Sequence, residues 1–416
     1  MHETRLRFRI PTGRTLAVQR ALAVLAPAAA PDAAGFSPVP RRRLPPATPR
    51  QIRIGRSLVQ ITLQPVQTRA DRPRAAEPRL EFLLVHGKAA TLVQFARSWV
   101  ERFALGLDLG TWLPGGEGPN AQSAPGTGRG LKPSMSAQQA LQTLVADVLQ
   151  QLLPNLAQRL QPPDPTASVA HAQALHQLRV ALRRLRCAAW LLGSQAENWN
   201  ATWEAAIRAL FVASGMARDQ EVLQSSLLPT LRALQAPWVE LPAATQPAAL
   251  APVLDAPEVG LLVWDLVQFA HAQPATYRPA GRPPAAGHPA LMDSVAPALK
   301  TLRRRVARDV DRFADLDEVG VHTLRKRLKR LRYSLEFLAP LLPRHRLRPY
   351  LETLQRVQAA LGSWHDLVVA EGLYRQQALT EARAWFVVGW VVARKATLRD
   401  EAAGHLQRLV RLDRPW

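Results

Sequence analysis

His176-Gln177-Leu178-Arg179-Val180-Ala181-Leu182-Arg183-Arg184-Leu185-Arg186 and His322-Thr323-Leu324-Arg325-Lys326-Arg327-Leu328-Lys329-Arg330-Leu331-Arg332 are two copies of one pattern, superimposing without a gap at an offset of 146 residues. In each, His, Arg, a cation and Arg fall at i, i+3, i+7 and i+10, which at ~3.6 residues per turn lines them along one side of a helix while the leucines face the core. A row of fixed positive charge built twice points to one extended anionic ligand held between two related surfaces. Residues 322–332 hold six Lys or Arg and no acid. Like-charge neighbours at i+3 and i+4 cost a few tenths of a kcal/mol each, roughly, a cost that an anion offsets. Side chains three or four residues apart stand ~5–6 Å apart at Cβ, a spacing that suits successive phosphates of a linear chain. Arg offers such oxygens a forked donor and Lys a point charge, and a His beside phosphate favours its charged form. No second His or carboxylate stands four residues beyond either leading His, so no metal role is expected of them.

The chain around these stretches has 416 residues, 47% of them hydrophobic, enough for two or three domains with proper cores. Its 54 Lys and Arg against 32 Asp and Glu give a net charge of +22, which favours polyanionic partners. A single cysteine, Cys187, excludes an intrachain disulfide framework, suits a reducing compartment and reads as packing among Leu185, Ala188 and Trp190. The apolar residues 21–30 contain Pro27 and read as a helix after a first strand rather than a signal peptide. No run reaches the ~18 uncharged apolar residues of a membrane span, so no membrane partner and a cytoplasmic location are expected. Trp190, Trp203, Trp264, Trp385 and Trp390 lie in apolar segments and are expected in the core, leaving no stacking platform for single-stranded nucleic acid beside the cationic rows. Phosphate-loop, nucleophile-elbow and His-Glu-x-x-His motifs do not occur, and no catalytic residue, cofactor or metal is expected.

Residues 4–10 alternate polar and apolar, 51–63 and 79–85 contain similar stretches, and 91–103 reads as an amphipathic helix. Residues 1–115 are therefore expected to form an α+β domain. Residues 110–133 have the Gly- and Pro-punctuated composition of a loop, which places a linker at 116–135. From Ser136 to residue 412 the spacing is helical throughout, and the Pro-, Gly- and Ala-rich stretch 273–289 divides this all-α domain into halves at 136–272 and 290–412, two pseudo-symmetric bundles. A second echo supports the duplication. Residues 210–219, ending Gly215-Met216-Ala217-Arg218-Asp219, resemble 357–366, ending Gly362-Ser363-Trp364-His365-Asp366, at an offset of 147 between the glycines.

At these residues the chain resembles the CHAD family, the conserved-histidine α-helical domains, whose repeated motif is a His-led basic helix followed by a Gly-x-x-Arg/Asn-Asp segment. The resemblance covers residues 136–412 and implies two helical bundles around a basic surface that binds inorganic polyphosphate. Carried over by motif position, the ligand-facing set is His176, Arg179, Arg183 and Arg186 with His322, Arg325, Lys329 and Arg332. Arg184, Lys326 and Arg330 flank it, and Arg218 joins it from the second motif, whereas His365 stands where the family commonly has Asn or Arg. The first domain resembles, more weakly, the CYTH family of triphosphate hydrolases: Glu3-Thr4-Arg5-Leu6-Arg7 takes the place of a Glu-x-Glu-x-Lys strand, and Arg79-Leu80-Glu81-Phe82 that of a later strand with paired carboxylates. Hydrolysis in that family needs carboxylate-held divalent metal, and a cation in the cluster implies a domain without activity. The expectation is a non-catalytic polyphosphate binder associated with polyphosphate granules. The alternatives are a metal-dependent inorganic triphosphatase and a nucleic-acid-binding module.

Overall fold

The structure is a computed structural model that describes residues 5–10, 14–24, 49–64, 78–107, 130–160, 168–215, 227–237, 239, 250–272 and 290–416. Glu3, Arg218, Asp219, most of the expected linker and the stretch 273–289 lie outside the described residues. The chain divides into two compact units, residues 1–121 with 251–264, and residues 122–250 with 265–416.

The first unit is built on a sheet. Its elements are β1 (Arg5–Arg9), α1 (Thr15–Val24), β2 (Arg50–Ile54), β3 (Ser57–Gln64), β4 (Arg79–His86), α2 (Ala89–Phe103) and a two-residue β5 (Gly106–Leu107). The strands pair antiparallel in the order β2-β3-β4-β1-β5. Alternation along β3 sends Ser57, Val59 and Ile61 inward, and Phe82 of β4 meets Phe8, Phe95 and Trp99 edge-on at 5.7–5.9 Å between ring centroids. Two glycines set the path. Gly55 turns the β2–β3 hairpin at φ 58°, and Gly87 leads β4 into α2 at φ 113° with Ser57 so close that a Cβ would lie 2.2 Å from its Oγ. Glu81 is buried directly across from Arg7, whose Nε forms an ion pair with its carboxylate, and Gln64 Nε2 donates to the same oxygen at 3.2 Å.

The remaining helices are α3 (Ala137–Leu160), α4 (Ser168–Leu192), α5 (Ala201–Ala213), α6 (Leu228–Ala233), α7 (Leu250–Leu254), α8 (Pro257–His271), α9 (Leu291–Asp311), α10 (Glu318–Phe337), α11 (Arg344–Gln377) and α12 (Ala384–Arg411). Among the described residues from 130 onward there is no strand, as helical spacing throughout that region predicts. Side-chain caps start several of these helices: Ser136 Oγ accepts from Gln139 N at 3.2 Å before α3, Asn200 Oδ1 accepts from Thr202 N at 2.9 Å before α5, and Asp317 Oδ1 accepts from Gly320 N at 2.7 Å before α10. The longest packed pairs are α3 with α4 and α11 with α12. Helix α4 also lies against α10, where Cys187 Sγ stands 3.4 Å from both the Arg330 carbonyl and Ser334 Oγ. Burial pushes that thiol up to about 11, which disfavours the reactive thiolate and suits a packing role for Cys187. No described helix is long and apolar enough to cross a membrane.

The expectation that the tryptophans are core holds for Trp264 at 5% exposure and fails for Trp385 at 52%. Helix α12 hides one side only: Ala384, Val387, Val388 and Val391 are buried, while Trp385, Phe386 and Val392 face out.

Candidate functional site

The two His-led stretches are the central turns of α4 and α10. Leu175, Leu178, Leu182 and Leu185 on α4, and Val321, Leu324, Leu328 and Leu331 on α10, are all at most 1% exposed. Their 3-4-3 spacing is the apolar stripe that docks each helix. One residue further round, His176, Arg179, Arg183 and Arg186, and His322, Arg325, Lys329 and Arg332, are each half-buried. The cationic rows are thus cut off from much of their water, unlike the face of an ordinary exposed helix.

On α4 the row is ordered by α5. Arg179 Nη1 donates to the Phe211 carbonyl at 2.9 Å and to Ser214 Oγ at 3.0 Å, and its guanidinium lies 4.4 Å from the centre of the Phe211 ring. Arg183 and Arg186 follow over the same ring at 5.8 and 5.4 Å. Three cations thus gather around one aromatic ring, which attracts them without neutralising them. Arg183 Nε is buried and has no hydrogen-bond partner among the described residues. Arg179 also lies against Gly215, where a Cβ would come within 3.5 Å of Nη1.

Helix α10 repeats that last contact. A Cβ at Gly362 on α11 would come within 3.5 Å of Arg325 Nη2. Around Arg325 the groups are crowded and of one sign. Burial first, then Arg183, Arg325 and Arg179, push Lys329 down to about 6, with Asp366 acting in the opposite direction. The rows of α4 and α10 therefore meet at Lys329. His322 stacks on His365 of α11 with ring centroids 4.8 Å apart and planes tilted by 33°. Burial and then the neighbouring cations lower both rings, His365 to about 4. The Nδ1 atom of His322 is buried without a hydrogen-bond partner among the described residues.

The flanking residues go different ways. Lys326 is exposed at the edge of the row. Arg330 lies 4.8 Å from the ring centre of Trp190, and Arg332 donates to Gln358 Oε1 at 3.0 Å while its Nε stands 2.9 Å from Glu336. Arg184 does not flank the rows. It is 1% exposed, with Nη2 3.2 Å from Asp147, Nη1 donating to Gln151 Oε1 at 3.2 Å and Phe337 stacked at 5.3 Å, so it is an internal cation between helices.

Sequence reasoning assigned no role to Phe211, placed Trp190 in the core and left His365 as a departure from pattern. The structure makes Phe211 and Trp190 the platforms of four arginines, correcting the expectation that no tryptophan stands among the cations. The position of Phe211 within the 210–219 echo was the available signal. Beyond Arg186 the positive field continues through Arg208 and Arg330, and Arg330 in turn feels Arg305. Among the described residues no group of three or more His, Cys, Asp or Glu is placed to hold a metal ion. The groups gathered here are guanidinium, ammonium and imidazole, which hold an anion by charge and directed N–H donors.

The family model described as CHAD domain matches residues 151–375, more than half of the chain and including α4 and α10. The crystal structure of the CHAD domain from the plant Ricinus communis is similar at 25% sequence identity and a TM-score of 0.54, covering 71% of this chain and 99% of that one. No curated protein matches.

Proposed function

Because the chain belongs to the CHAD domain family, we propose that its helical region binds inorganic polyphosphate along the facing rows of α4 and α10 and does not turn it over. The observation that carries this reading is the crowding of Arg179, Arg183 and Arg325 around a half-buried Lys329, with Asp366 as the opposing charge on that lysine. Like charges gathered away from water destabilise the empty site, and a linear polyanion with a charge on every unit relieves several repulsions at once. The matched Arg179–Gly215 and Arg325–Gly362 contacts, at the same positions of the two sequence echoes, support a duplicated domain of two pseudo-symmetric halves. A polymer spanning both would associate the protein with polyphosphate granules.

For the first unit we propose a CYTH-like ancestry without metal-dependent hydrolysis. The support is Glu81: its carboxylate is engaged by Arg7 and Gln64, so an arginine occupies the charge that a divalent ion would need.

Titration with long-chain polyphosphate near physiological salt, with duplex DNA and RNA as competitors and orthophosphate release followed with and without magnesium, tests both statements. Tight, polyphosphate-selective binding without release is expected. Exchanging Arg325 and Lys329 for Glu should weaken it at least ~100-fold, since each charge-assisted contact is worth roughly 1.5–3 kcal/mol, whereas the same exchange at the exposed Arg344 and Arg346 should change it little. Equal losses would sink the site assignment. Metal-dependent release would return the first unit to enzyme status, and displacement by nucleic acid would favour a nucleic-acid module.

A further inference from the structure

Stacked histidines are an odd choice for a cationic site. At position 365 an asparagine or arginine would donate to a phosphate at any pH, while imidazole does so from both nitrogens only when protonated. Here the two rings lie 4.8 Å apart on different helices, and every charged group known to act on them, apart from each other, is a cation of α10: Arg325, Lys326 and Lys329. Across the site α4 contributes Arg179 and Arg183, and α11 contributes Asp366, all three acting on Lys329. The buried Nδ1 of His322 has no partner of its own among the described residues. A second proton on either ring would meet those cations, while Asp366, the residue after His365, acts on Lys329, so at neutral pH in the free protein the neutral form of both rings is favoured. A phosphate chain reverses the sign of the local field. It stabilises the imidazolium by charge and offers acceptors to the N–H groups.

We propose that the stacked pair of His322 and His365 makes polyphosphate binding proton-coupled, each imidazole taking a proton from solvent as phosphate oxygens settle against it. The inference rests on the polyphosphate reading and adds its regulation: the site tightens on the polymer as the surroundings acidify and loosens as they turn alkaline. Lys329 contributes to the same uptake, but it has no partner ring. The share carried by His365 is therefore the share lost when it is replaced by a non-titrating residue of similar size.

The experiment is calorimetric titration of the full chain with long-chain polyphosphate, whose internal phosphates do not titrate in this range, at pH 6, 7 and 8 in pairs of buffers of different ionisation enthalpy. The wild-type protein should take up protons and gain about tenfold in affinity per pH unit for each proton bound. His365→Asn should lose more affinity at pH 6 than at pH 8 and take up fewer protons than wild type, by the share of one ring. Imidazole NMR of the wild-type protein gives a reading that needs no variant: at pH 6.5 the His365 ring should be neutral when free and charged with polymer bound, and the His322 ring should gain charge on binding. Binding without proton uptake, a pH profile unchanged in His365→Asn, or rings that stay neutral in the complex overturns the proposal alone. No binding at any pH overturns the function assigned above and this inference with it.

Discussion

Arg183 and Arg184 are neighbours in sequence with opposite fates. Arg184 points to Asp147 and Gln151 of α3 and is enclosed, while Arg183 joins Arg179 and Arg186 over Phe211 and adds to the positive field at Lys329. Truncating Arg184 to Ala leaves a cavity and takes from Asp147 its internal cationic partner, and should cost about 3 kcal/mol. Arg183→Ala removes a repulsion instead and should leave stability within about 0.5 kcal/mol or raise it, while weakening the polymer. Urea denaturation of both variants decides this; equal destabilisation would mean that Arg183 also holds the fold. Lys329 supplies a second test at the same scale. Its ammonium is lowered from the ordinary lysine value of 10.5 to about 6, so between those limits the unfolded chain binds the proton and the folded chain does not. Stability of the ligand-free protein should therefore rise with pH from about 6 towards 10.5 and fall as pH drops through that window. The span is on the order of a few kcal/mol. Lys329→Met should flatten the pH profile of unfolding, and an unchanged profile would show that Lys329 stays charged in the empty site.

Helices make clear what was legible beforehand. The 3-4 spacing of Leu178, Leu182 and Leu185, and of Leu324, Leu328 and Leu331, was readable because a helix fixes which residues share a face, and all six are buried. Alternation marked β1, β3 and β4 for the same reason with period two. Periodicity cannot say which element covers the next stripe. The half-burial of the cations, on which the electrostatics depend, comes from α5 and α11, whose Phe211 and His365 lie 32 and 43 residues from the Arg179 and His322 they adjoin. Arg184 was misread because its partner Asp147 lies 37 residues back on α3, and a cation's letter does not reveal an ion pair. Trp385 was misread because an apolar run long enough for two faces was assigned to one core, although α12 buries a single side.

At the scale of the whole molecule, a net charge of +22 would draw any polyanion to the surface, so affinity alone does not distinguish two organised rows from a diffuse positive coat. Salt dependence does. Counterions leave the polymer only where protein cations replace them, so the slope of log K against log salt counts the charges that engage it. Arg179 and Arg325 occupy matching places in the two rows, beside Gly215 and Gly362 respectively, and neither is on the exposed rim. For long-chain polyphosphate between about 50 and 200 mM salt, Arg179→Gln and Arg325→Gln should each reduce the slope by roughly one, and the double variant by roughly two. Arg344→Gln, on an exposed turn of α11, should leave it unchanged. If the polymer engaged only one half, the two single variants would differ sharply. If the coat as a whole held it, Arg344→Gln would lower the slope as much as either, and the paired rows of α4 and α10 would have no claim to be the site.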